Sequence, residues 1–97
     1  VTSFDLNIFQ KELGEWQKQT FPFSTRESKF EHLLEEVAEL SYDLSDGAEM
    51  ADIVILLLGI ADSQNINLAD ELKKKFEILK NRKWGQPDEK GVVRHIE

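Results

Sequence analysis

The chain has no cysteine among its 97 residues, so neither a disulfide framework nor a thiolate metal site is open to it. That absence fits a reducing compartment, and a cytoplasmic setting is expected. The N-terminus lacks the basic, apolar and small-residue succession of an export signal. No apolar run approaches the length of a membrane span. Ile53–Ala61 is nine residues, roughly half of what a bilayer needs, and reads as a buried helix. Positive charge is short overall, with a net charge of −7, which argues against affinity for a nucleic acid backbone. Neither a nucleic acid polymer nor a membrane is therefore expected as a partner.

The scarcity of cations is local. From Phe30 to Leu72 there is no Lys or Arg, while Glu31, Glu35, Glu36, Glu39, Asp43, Asp46, Glu49, Asp52, Asp62, Asp70 and Glu71 are all acidic. Lys73, Lys74, Lys75, Lys80, Arg82 and Lys83 then follow closely. The two stretches are either two solvated surfaces or a cation site beside an anion site.

What is present is helical. A hydrophobic fraction of 40% supports one globular domain, residues 1–97, with a small core. Leu6, Phe9, Leu13 and Trp16 recur at helical spacing and predict a helix over 3–20, ended by Phe21-Pro22-Phe23. Ser24 with Glu27 makes a capping-box pattern and opens a second helix over 24–44, with Phe30, Leu33, Leu34, Val37, Leu40 and Leu44 as its apolar stripe. Ser45-Asp46-Gly47 signals a turn. A third helix over 48–63 is apolar nearly all round after Asp52, so it should be central or lie at a subunit interface. Asn67 caps a fourth helix over 67–84, whose apolar face is Leu68, Leu72, Phe76, Leu79 and Trp84. In the tail, 85–97, Val92, Val93 and Ile96 can dock as a short extended piece. The fold class is all-α, a four-helix bundle.

The carboxylates carry the chemistry. His32, Glu36, Glu39 and Asp43 form one stripe down the second helix, and Glu49 and Asp52 share a face of the third. In an antiparallel hairpin, Glu39 should stand level with Glu49, and Glu36 with Asp52. Like charges that close repel and raise one another's pKa. Neither helix supplies a cation after Lys29, whereas a divalent metal would relieve the repulsion. Oxygen ligands without Cys favour a hard ion, Mg²⁺ or, as a substitute, Mn²⁺. Each half alone has ordinary readings: a solvated helix face for Glu35, Glu36 and Glu39, and a capping role for Glu49. The conjunction of EExxE, a short turn, ExxD and a buried helix is far more specific.

Glu35-Glu36-Val37-Ala38-Glu39, followed by Glu49-Met50-Ala51-Asp52 and IVILLLGIA, resembles the MazG-like nucleotide pyrophosphohydrolases of the all-α NTP pyrophosphatase superfamily. The ending KFEILKNRKWGQPDEKGVVRHIE also looks like that of small, single-domain members. The gap between the motifs, Leu40 to Ala48, is shorter than in longer members and suggests a compact hairpin.

The resemblance implies Mg²⁺-dependent hydrolysis of a nucleoside triphosphate, expected to be deoxy, to the monophosphate and pyrophosphate. It implies Glu36, Glu39, Glu49 and Asp52 as metal ligands and Glu35 as an extra carboxylate near them, orienting or deprotonating the water. Lys75, Lys80, Asn81 and Arg82 then become phosphate-binding candidates, Lys75 and Arg82 sharing one helix face. Trp16 and Trp84 are candidates for stacking on the base, each with core packing as its other reading. His32 contacts base or sugar, caps the metal stripe, or is a partly buried histidine with a backbone partner. Relatives imply a homodimer or a dimer of dimers. The alternatives to an enzyme are a regulatory protein of the same fold that binds nucleotide and metal without turnover, and a helical interaction module.

Overall fold

Each helix begins behind a short polar side chain that satisfies a free N–H of its first turn. In the computed structural model, which describes residues 3–96, Asp5 opens α1 (Leu6–Thr20) and Thr25 opens α2 (Arg26–Leu40). Asp46 opens α3 (Gly47–Ser63), and Asn67 opens α4 (Leu68–Asn81). Val1, Thr2 and Glu97, the ends of the expected 1–97 domain, lie outside the described residues.

The four helices are those the sequence predicts, with shifted ends. The first begins at Leu6 rather than Ser3, because Asp5 accepts the Ile8 N–H at 3.0 Å and acts as its cap. The second begins at Arg26, since the reciprocal cap is Thr25 with Ser28 and not Ser24 with Glu27. It ends at Leu40 rather than Leu44. There Ser41, Tyr42 and Asp43 turn back on the last carbonyls, and Asp43 Oδ1 accepts the Ser45 N–H at 3.0 Å and its hydroxyl at 2.6 Å. The fourth helix stops at Asn81, because Arg82 is extended and Trp84 pairs antiparallel with His95. Trp84 therefore leaves the apolar face expected of it and donates its indole N–H to Leu79 O at 3.1 Å. The tail closes as a small hairpin, with Gly85 N–H on Arg94 O at 2.8 Å and Ile96 N–H on Lys83 O at 3.0 Å.

α3 is the central helix, packed along α2 and across α1. The crossing with α1 is close because two glycines stand there. A Cβ at Gly14 would run into the Asp62 carboxylate, and one at Gly59 into the Gln17 amide. This shifts the buried face of α1. The sequence predicts Leu6, Phe9, Leu13 and Trp16, but Gln10, Leu13, Gly14 and Gln17 are the buried residues and Trp16 is 52% exposed. Gln10 has a structural use. Its Nε2 donates to Ile66 O at 2.6 Å and its Oε1 accepts the Leu68 N–H at 3.3 Å, tying the start of α4 to α1.

The buried apolar residues are few: Leu13, Leu33, Leu56, Leu58 and Ala61. α4 turns away from α3 by 108°, makes its main contact with α1 and buries no residue. Phe30, Leu34 and Val37 on α2, Met50, Val54 and Leu57 on α3, and Leu72 and Phe76 on α4 are all exposed. A compact monomer of 11.2 kDa exposes roughly 5,700 Å², whereas this chain exposes 7791 Å². Its radius of gyration is 16.1 Å, against roughly 12.5 Å for a compact chain of this length. Among the described residues no single helix is long and apolar enough to cross a membrane.

Candidate metal centre

The α2–α3 hairpin sets one carboxylate of α2 against two of α3. Glu36, Glu49 and Asp52 each offer an oxygen within 4.8 Å of the others. Glu49 is placed by the cap that starts α3, where its N–H donates to Asp46 Oδ1 at 3.1 Å. Asp52 follows one turn later on the same face. Glu36 is largely enclosed, its side chain only 12% exposed, and His32 Nε2 lies 2.9 Å from its Oε1 one turn earlier.

The electrostatics are those of a site short of positive charge. Glu36 Oε2 and Glu49 Oε2 are buried without a hydrogen-bond partner, an arrangement that costs free energy in an unliganded protein. The Glu49 carboxyl is pushed above its usual range. Its interaction with the neighbouring Glu36 carboxyl, which favours holding a proton between them, is the largest cause, followed by desolvation and by repulsion from Glu36, Asp52 and Asp46. The donor set is all oxygen, two of its atoms are unpartnered, and among the described residues the ion pairs given to Lys and Arg go to Glu27, Glu77 and Asp88 rather than to these three carboxylates. These residues fit a hard divalent cation.

A cavity of about 480 Å³ opens beside the carboxylates. Glu36, Asp52 and His32 form one end; Trp16, Gln17, Phe21 and Lys29 line the rest. Trp16 and Phe21 stand edge to face with centroids 5.5 Å apart, and each keeps about half its surface free. An exposed aromatic pair at a cavity rim offers faces on which a flat ring can stack.

Of the predicted site residues, Glu36, Glu49 and Asp52 are brought together, with His32 and Trp16 on the adjoining cavity. Glu39 is exposed in the last turn of α2, and Glu35 is exposed beside Glu36; both stand outside the group of three. It is Glu36, and not Glu39, that stands with Glu49 and Asp52 in the group of three. The α4 residues are elsewhere. Lys75 borders the exposed Leu72–Phe76–Leu79 surface, and Lys80 pairs with Glu77 at 2.7 Å, lying 4.6 Å above the Phe76 ring. Asn81 Nδ2 donates to Glu77 O at 2.7 Å, and Arg82 Nη1 lies 3.5 Å from His95 Nδ1. None of the four lines the cavity beside the carboxylates. Gln17, Phe21 and Lys29 line it and were not singled out from the sequence. The available signal was Gly14 between Gln10 and Gln17, a polar stripe interrupted by the residue of a close helix crossing.

Comparison with known proteins follows the same lines. The dATP/dGTP pyrophosphohydrolase family model matches residues 9–97. A dATP/dGTP diphosphohydrolase of Salmonella phage PMBT28 is 36% identical over 88 residues, covering 90% of this chain but 30% of that protein. A dATP/dGTP diphosphohydrolase of Cyanophage S-2L is 32% identical over 89 residues, covering 90% of this chain and 84% of that one. The chain thus spans under a third of the first of these relatives and most of the second. Among solved structures, the Cyanophage S-2L MazG-like pyrophosphohydrolase, bound to dGDP and three catalytic Mn²⁺ ions per active site, superposes with a TM-score of 0.82. The two are 28% identical, and the match covers 98% of this chain and 100% of that one.

Proposed function

The chain belongs to the MazG-like dATP/dGTP pyrophosphohydrolase family, in the all-α NTP pyrophosphatase superfamily, and on that premise we propose that it hydrolyses purine deoxynucleoside triphosphates to the monophosphate and pyrophosphate. Water supplies the new oxygen at the α-phosphorus. The bond from that phosphorus to the bridging oxygen breaks, and pyrophosphate departs with the electron pair. A cytoplasmic setting, where such nucleotides are held, goes with this reading, as does a role in clearing or balancing nucleotide pools.

The observation that carries it is the carboxylate group of Glu36, Glu49 and Asp52, with two shielded, unpartnered oxygens, opening onto an aromatic-rimmed cavity. These three, with Glu39 one turn along α2, would hold Mg²⁺ or Mn²⁺. When bound, divalent ions neutralise triphosphate charge and make water acidic enough to act as a nucleophile. His32 steadies Glu36 through the 2.9 Å contact, which fixes the direction its free oxygen faces. Glu35 is the proposed extra carboxylate that orients the water or takes its proton. Lys29, whose ammonium makes no ion pair among the described residues, lines the cavity and is the proposed partner of a phosphate oxygen. Trp16 and Phe21 offer the stacking faces for the base.

The second part of the proposal is a homodimer or a dimer of dimers. The excess exposed surface and the uncovered apolar faces of α2, α3 and α4 support it, since stable obligate interfaces bury roughly 2,000 Å² or more in total. A second copy would also explain α4. Lys75, Lys80, Asn81 and Arg82 stand away from the carboxylates of their own chain and are proposed to reach the nucleotide across the interface.

The test is turnover of a panel of dNTPs and NTPs with and without Mg²⁺, products resolved by chromatography, beside a Glu36→Gln control. Monophosphate and pyrophosphate that require metal and disappear in the control are expected. Nucleotide bound but never turned over would make the protein a binding regulator instead.

A further inference from the structure

One polar group in the cavity has no structural use among the described residues. Gln17 is 7% exposed, and its side-chain amide makes no hydrogen bond with any described residue. The contrast with Gln10 is direct. Gln10, on the same face of α1, spends both ends of its amide on Ile66 O and Leu68 N. An amide that lines a cavity and is held by no protein partner keeps its donors and acceptor available to a ligand. Gln17 lines the 480 Å³ cavity together with Trp16, Phe21, Glu36 and Asp52, so it shares one space with the stacking faces and the carboxylates. It also lines a smaller adjoining cavity of about 180 Å³. The absence of a side chain at Gly59 is what leaves room for the amide there.

Building on the proposed purine substrate, we infer that the Gln17 amide reads the 6-position edge of the base. An amide presents an acceptor oxygen and an NH2 donor side by side on one carbon. Adenine presents an amino donor at the 6-position beside a ring-nitrogen acceptor. Guanine presents a carbonyl acceptor there beside a ring N–H donor. The two patterns are mirror images, and rotating the amide by half a turn exchanges Oε1 and Nε2. One residue therefore serves both bases, provided nothing else fixes its orientation. In Gln17 nothing among the described residues does. A pyrimidine on the same stacking faces has a shorter reach from sugar to edge and leaves the amide unpaired.

The experiment compares dATP, dGTP and the deoxynucleoside triphosphate of purine itself, which lacks any 6-substituent, on the wild type and on Gln17→Met. Methionine keeps the length and packing of the side chain and removes the amide. The cross-comparison isolates the contact between residue and substituent. On the wild type, kcat/KM for the unsubstituted purine is expected to be lower than for dATP and dGTP by roughly tenfold. In Gln17→Met that gap is expected to close, with dATP and dGTP falling toward the unsubstituted compound. Gly59→Ala, whose Cβ displaces the amide, should close it as well. A wild type that hydrolyses all three equally overturns the inference without needing any variant. So does a Met variant that lowers all three by one common factor, which is what a helix spacer would do. A wild type active on no purine nucleotide removes the proposed function and this inference with it. Activity without discrimination removes this inference alone.

Discussion

The acidic hairpin and the basic helix are built on opposite plans. In α2–α3 the charged groups converge: Glu36, Glu49 and Asp52 meet within 4.8 Å, two of their oxygens are shielded, and the helices pack along their length. In α4 the charged groups diverge. Lys80 and Asn81 turn back onto Glu77, Arg82 lies by His95, and no residue of the helix is buried. Converging like charge favours a ligand that relieves it, and a bare apolar helix face favours a surface that covers it. The first half has the form of a site. The second half has the form of an open apolar surface, which is where the proposed second copy would sit.

Substitutions that take apart the acidic half should have the largest effect. Glu36→Gln should lower turnover by at least about 100-fold, since even groups that only support a metal ligand are worth 10- to 100-fold. The same change should leave the metal-free fold as stable as the wild type or more so, because it removes a repelling charge; a denaturant titration in chelator reads this. Next is the core under both halves. Leu58 is fully enclosed, and Leu58→Ala should cost about 2–5 kcal/mol in denaturant midpoint experiments. A change on the basic helix should act on assembly. Phe76, 60% exposed on α4, should lose about 2 kcal/mol of association as Phe76→Asp, seen as monomer in light scattering at concentrations where the wild type is oligomeric.

A smaller effect separates the two halves more finely. Arg82→Ala should raise KM for the nucleotide by a few-fold, the scale of one exposed charge-assisted contact, and leave Mg²⁺-dependent stabilisation intact. Mixing it with Glu36→Gln should restore part of the activity if the basic residues act across the interface. The smallest effect concerns the tail. Arg94 first, then the Val92 and Lys90 N–H groups, hold the Asp88 carboxyl below its usual range. A depressed carboxyl contributes stability above its unfolded pKa and loses it as pH falls through the folded value. Acid should therefore loosen 83–96 before the helices, read by hydrogen exchange at Val92 and Gly85.

Much of the acidic half could be read from sequence, because it depends on local rules. Spacing puts Glu49 and Asp52 on one face, Asp46-Gly47 starts the helix that carries them, and a short turn forces the hairpin. Which α2 carboxylate meets them depends on where that helix ends. The turn of Ser41 to Ser45 closes it at Leu40, and Glu36, with Glu39 outside the group, joins Glu49 and Asp52. The cavity was harder to see. Hydrophobicity puts Trp16 inside α1 and Gln17 outside, and the structure has them the other way round. Two glycines far apart in sequence, Gly14 and Gly59, let α1 and α3 come close enough to enclose the amide, and single-helix periodicity carries no term for a crossing. The placement of α4 follows from its cap on Asn67 and the Gln10 bonds to Ile66 and Leu68, a long-range contact that helical periodicity does not encode.

The most direct measurement is a titration of Mn²⁺ into nucleotide-free protein, followed by the electron paramagnetic resonance of the free ion, on the wild type and on Asp52→Asn. Asp52 is the most exposed of the three carboxylates, so this change should leave the fold intact. Loss of free Mn²⁺ signal on the wild type, and its return in Asp52→Asn, is the expected result. Equal binding by both proteins, or none by either, would contradict a divalent-cation site at Glu36, Glu49 and Asp52.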